Sequence, residues 1–128
     1  MANLTVYAQT NFFQVNDEEG LKELVVKVGA ELEEKILDGV KRFSFRNDDS
    51  VVNYFDLTKG YMVDIFEELQ QLIPEGEAAI IQEVGFGKSD TLSGSAHIVT
   101  KHHIEHVSLF KKAVETAHAL LQEEKKNK

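Results

Sequence analysis

His102-His103-Ile104-Glu105-His106 is the stretch of this chain whose side chains could most readily do chemistry. It contains H-x-x-E-H. On a helix, that spacing sets two imidazoles on one face for a zinc ion, with a carboxylate beside them to activate water. A further ligand would have to come from the segment after His106, where Glu115, His118, Glu123 and Glu124 stand. A looser metal site needs only His102, His103 and His106, with His97, gathered around zinc or nickel, because neutral imidazole is the commonest metal ligand. Histidines that simply sit in solvent are commoner than either. The pattern also falls where a strand hands over to a helix, which leaves the required i, i+4 geometry open.

Other motifs fail on their own terms. Gly87-Lys88-Ser89 mimics the end of a phosphate-binding loop, but Gln82 stands where the first glycine is required and no helix follows the serine. Gly85-x-Gly87 lacks the third glycine of a dinucleotide fingerprint. Ser93-Gly94-Ser95-Ala96-His97 puts hydroxyls near an imidazole, but neighbours along a strand point to opposite faces. Carboxylates are too numerous for one pair to stand out as acid and base. The sequence nominates no catalytic residue and no cofactor, and the chain reads as non-enzymatic.

What does stand out is where the carboxylates lie. Residues 17–38 carry eight acidic and three basic side chains, and residues 60–83 carry six acidic and no basic ones. Together these two blocks carry more negative charge than the net -8 of the whole chain, the rest of which is net basic. Such a balance disfavours nucleic acid, whose phosphates need a basic surface, and anionic membranes for the same reason. It favours a basic protein partner. There are no cysteines, so disulfides, thiolate metal sites and thiol nucleophiles are absent, which fits a reducing cytoplasm. No apolar run reaches signal-peptide or membrane-span length.

These residues must be held by a small set of elements. Leu4 to Asn11 alternates with a period of two, and Phe12-Phe13-Gln14-Val15 comes next, predicting a first strand. Asn16, three residues before Glu19, opens a helix whose buried stripe is Leu21, Leu24, Val25 and Val28. Gly29 ends it, and residues 31–37 read as a second helical piece or an irregular continuation. Residues 41–46 and 51–55 read as a hairpin around Asn47-Asp48-Asp49-Ser50. A second helix follows Thr58, carrying Met62, Ile65, Phe66, Leu69 and Ile73 at helical spacing until Pro74 stops it. Residues 78–84 read as a central strand buried on both faces, and 85–94 as a loop. Residues 95–100 return as a strand, which 104–107 extend after a kink. Ser108 caps a last helix with Phe110, Ala113, Val114, Ala117 and Leu121 toward the core.

The expected fold is α+β, one domain over residues 1–124 with a frayed basic tail at 125–128. A mostly antiparallel sheet carries helices on one face, as a ferredoxin-like β-α-β-β-α-β core plus an extra strand and the C-terminal helix. That packing would lay the two acidic helices side by side and pool Glu19, Glu23, Glu33, Glu34, Asp64, Glu67 and Glu68 on one surface. Plain solubility explains the same charges.

At Thr10-Asn11-Phe12-Phe13-Gln14-Val15-Asn16-Asp17-Glu18-Glu19 the chain resembles small proteins carried by phages and conjugative elements of Gram-positive bacteria. Ala79 to Gly85 and Gly94 to Thr100 add a second echo. The resemblance implies a ferredoxin-like fold and an accessory role, with no catalytic residues to carry over. Inverted zinc proteases resemble the chain in the five residues from His102 to His106 only, and their large domains would not fit it.

The expectation is therefore a cytoplasmic protein-binding module of a mobile element, acting on a basic host partner and imitating the phosphates of DNA in its sharpest form. Its alternative is a histidine-dependent metal protein or hydrolase built on His102, His103 and His106. A homo-oligomer formed by pairing of sheet edges is a third possibility.

Overall fold

The computed structural model describes residues 5–86 and 92–126. The fold is α+β. Among the described residues, strands β1 (Thr5–Thr10), β2 (Glu31–Leu37), β3 (Val40–Asn47), β6 (Ala78–Phe86), β7 (Leu92–Thr100) and β8 (Ile104–Ser108) form one sheet in the order β2-β3-β1-β6-β7-β8. All its pairings are antiparallel. Strands β4 (Asn53–Asp56) and β5 (Tyr61–Asp64) form a separate hairpin. The helices are α1 (Glu18–Lys27), α2 (Phe66–Leu72) and α3 (Leu109–Lys126).

The strand order is not the ferredoxin-like one expected, and two segments account for the difference. Residues 31–37 are not helical: they form the edge strand β2, joined to β3 by Asp38-Gly39. Both turn residues have positive φ, 53° and 77°, as a two-residue hairpin turn demands. The glutamates and lysine of β2 suit an edge that must not recruit another strand. β3 consequently pairs with β2 and β1 rather than with residues 51–55. Residues 53–56 pair instead with Tyr61–Asp64, so the second helix starts only at Phe66. Met62, expected in a buried helical stripe, lies exposed in β5.

The core lies on one face of the sheet. Phe43, Phe45, Ala79, Ile81 and Val99 meet Leu21, Leu24 and Val25 of α1 and Leu69 of α2, with Phe13, Ile65 and Ile73 fully buried among them. Burying each large apolar side chain contributes about 1.5–3 kcal/mol. At the end of β1 the chain's polar groups are stitched in place. Thr10 Oγ1 accepts from the Phe45 amide at 3.0 Å, and the Asn11 side chain bridges the Ala78 carbonyl and Ile80 amide at 3.0 and 2.7 Å. This lets Phe13 swing into the core and bridge Phe43.

α1 is capped by Asp17, whose carboxylate accepts from the Gly20 amide at 3.1 Å, one residue later than expected. Asn16 instead donates its side-chain amide to the Gln71 carbonyl, tying the start of α1 to the end of α2. β6 is central but not buried on both faces. Ala79 and Ile81 are covered, whereas Gln82 and Val84 look out from an uncovered far face. Residues 85–86 and 92–94 of the expected loop belong to β6 and β7, and the phosphate-loop mimic at 87–89 lies outside the described residues. Lys125 and Lys126 extend α3, and residues 127–128 also lie outside.

Candidate binding surfaces

The seven acidic residues do not form a single platform. Glu19 and Glu23 are on α1, and Glu19 pairs with Lys22 at 3.5 Å. Glu67 is exposed on the first turn of α2. Glu68, beside it, is part of the structure: it accepts the Tyr54 hydroxyl and lies 3.8 Å from Lys27 of α1. That bond and partial burial push the Tyr54 phenol up to about 12. Asp64 ends β5 and accepts from the Phe66 amide at 3.2 Å. Glu33 and Glu34 are on β2, not on a helix. The strand's period of two sends them to opposite faces: Glu34 sits opposite Phe43 and 3.9 Å from Lys41, and Glu33 opposite Ser44.

The histidines separate into two places. His102 lies in the turn after β7, bonded to Glu75 at 2.6 Å, which holds the Glu75 carboxyl below its usual range. His103 closes that turn, its amide donating to Thr100 Oγ1 at 3.0 Å. His106 belongs to β8, where Glu105 and His106 face opposite sides of the sheet because they are consecutive strand residues. The H-x-x-E-H pattern therefore has no helix and no shared face, and Glu105 is not placed to serve a metal held by His106. Among the described residues no three His, Asp or Glu side chains converge as a metal site.

His106 meets His97, its cross-strand partner, with Nδ1 atoms 2.6 Å apart. Phe66 of α2 lies against both rings at 5.2 and 5.1 Å, and Glu83 Oε1 is 3.6 Å from His97 Nε2. Burial, then the neighbouring His106, lower the His97 pKa, with Glu83 opposing. The sequence carries a signal for this pair: the two residues are equidistant from the Thr100–His103 turn, so a hairpin there must bring them together.

The least expected surface is α3. The helix forms where the period predicts, with Ser108 Oγ accepting from the Lys111 amide at 3.4 Å, but none of its eighteen residues is buried. The stripe Phe110, Ala113, Val114, Ala117 and Leu121 is apolar and faces solvent; Phe110 is 77% and Leu121 59% exposed. This corrects its assignment to the core. The physical reason is the junction: Ser108 ends β8 and Leu109 begins α3, leaving no loop to turn the helix back over the sheet. Its first residue is seated, with Leu109 against Gly94 of β7.

The far face of the sheet, opposite α1 and α2, carries an apolar patch over its β6–β8 half, interrupted by Gln82 and edged by Glu105. The register sets Tyr7 beside Val84, Ile80 beside Ile98, and Ala96 beside Val107. Toward β3 this face opens into a cleft of about 320 Å³ that includes Tyr7, Gln82, Val84 and Arg46. No described helix is long and apolar enough to cross a membrane. Comparison with known proteins finds no matching family model, no matching curated protein and no matching solved structure.

Proposed function

We propose that this chain is a non-enzymatic protein-binding module whose docking element is α3. The observation that carries the reading is an eighteen-residue amphipathic helix that buries no residue. Most helical stability in proteins comes from packing an apolar face rather than from the helix itself. A stripe with Phe110, Val114 and Leu121 exposed is thus a surface in want of a cover. A protein suits it better than a lipid surface, because a chain of net charge -8 is repelled by anionic headgroups. A photoreactive phenylalanine analogue at Leu121, irradiated in cells that express the protein, tests this. A covalent protein adduct is expected, and none with the analogue at Leu121 or at Phe110 would remove α3 from the account.

A second reading is favoured by Glu23 and Glu67, which extend the acidic character of α1 and α2 into solvent. They would meet a basic host protein, as a DNA-imitating accessory protein of a mobile element would.

A further inference from the structure

Two apolar surfaces of this chain lie uncovered, the stripe of α3 and the β6–β8 half of the far sheet face, and they fit each other in size. The stripe from Phe110 to Leu121 runs about 18 Å along the helix. Past the seat of Leu109 at Gly94, which lies on this same face, β7 from Ser95 to Thr100 spans about 20 Å and the five-residue β8 about 17 Å, and three adjacent strands make a bed about 10–14 Å wide, close to a helix diameter. Within one chain the two surfaces do not meet: α3 buries none of its residues, and no loop separates Ser108 from Leu109 to turn the helix down onto the sheet.

We propose that the occupant is a second copy of this chain, whose α3 lies along the far face over β6, β7 and β8 while the first copy's α3 does the same in return. The proposal rests on the reading of α3 as a docking element and names its partner. Reciprocal exchange closes a two-fold dimer, the commonest symmetry of soluble oligomers. Charge agrees with it. Lys111, His118 and Lys125, seven residues apart, line one flank of the helix stripe. On the far face Glu105 of β8, opposite Ile98, borders the apolar bed. A helix with four lysines and three glutamates docks onto a chain of net charge -8 with less repulsion than any acidic segment would meet.

The absence of cysteine makes the test direct. Ala96→Cys marks the far face and Ala117→Cys the middle of the helix stripe, each a small change in the full chain. Mixing the two variants and adding a short bismaleimide should give several-fold more covalent dimer than either variant alone. Light scattering of the unmodified protein should show a dimer that dissociates on dilution from millimolar to micromolar. A mass of one chain throughout, or equal linking of Ala117→Cys with itself, would overturn the proposal. The photoadduct at Leu121 separates the two levels. An adduct of two chain masses supports both, an adduct with a different protein keeps α3 as the docking element and ends the exchange, and no adduct ends both.

Discussion

His97 Nδ1 lies 2.6 Å from His106 Nδ1 across the β7–β8 hairpin, so the contact holds only while at least one of the two rings is neutral. The pair sits at the outer edge of the core, closed by Phe66 from α2 and by Glu83 from β6. It therefore couples the last hairpin of the sheet, and with it the base of α3, to the main body.

Acid should loosen that coupling. The folded protein holds His97 below its ordinary value of 6.5, whereas the unfolded chain titrates there and binds the proton the folded chain refuses. Stability is then full above that value and declines as the pH drops beneath it, until the folded pKa is passed. Thermal unfolding followed from about pH 7 to pH 5 should show a falling midpoint. In His97→Gln the decline should be shallower, and an unchanged slope would mean that other groups govern it.

The cap of α1 makes a sharper local prediction. Asp17, not Asn16, accepts the bond from the Gly20 amide. Asp17→Ala should lower the unfolding free energy by about 1 kcal/mol, within the range measured for lost N-caps. Asn16→Ala removes one exposed bond to the Gln71 carbonyl and should cost less. Denaturant titration of both variants decides it, and the reverse order would move the cap back by one residue.

Much of the fold is legible in local patterns, and the departures have local causes. The strand at 5–10, the helix at 18–27 and the stripe of α3 follow from periods of two and 3.6. Residues 31–37 mislead because Glu, Leu and Lys are good helix formers, yet Asp38-Gly39 is among the strongest hairpin signals a chain can carry and outweighs them. Residues 61–64 mislead because Met62 falls in phase with Ile65, Phe66, Leu69 and Ile73 although it belongs to a different element. The acidic surface divides for the same reasons, since Glu33 and Glu34 cannot share a face on a strand. That the α3 stripe stays uncovered was beyond reach, because an amphipathic pattern states that a face wants burial and not what buries it.

The remaining acidic surface can be tested without harming the fold. Glu23→Lys and Glu67→Lys alter exposed groups away from the core, and their stability should match the parent within about 0.5 kcal/mol. Glu68→Lys loses the Tyr54 hydroxyl and places a lysine beside Lys27, so it should be clearly destabilised. If a basic partner uses α1 and α2, the Glu23→Lys, Glu67→Lys double variant loses it and parent binding weakens steeply with salt. A complex indifferent to both would place its interface elsewhere.

The docking helix should behave unlike any other apolar part of the molecule. Leu69 of α2 is fully buried, and Leu69→Ala should cost about 2–5 kcal/mol through lost contacts and the cavity left behind. Leu120 and Leu121 are more than half exposed, so in a lone chain Leu120→Ser with Leu121→Ser should change stability by no more than about 0.5 kcal/mol. Association changes this expectation in a measurable way. Binding to the folded state raises the apparent midpoint by mass action, so the parent protein should melt higher as its concentration rises, while the double serine variant should melt at one temperature throughout. Thermal unfolding at several concentrations reads both at once. A concentration-independent parent would show that α3 finds no copy of itself, and a strongly destabilised serine variant at high dilution would show that the helix face is packed within its own chain.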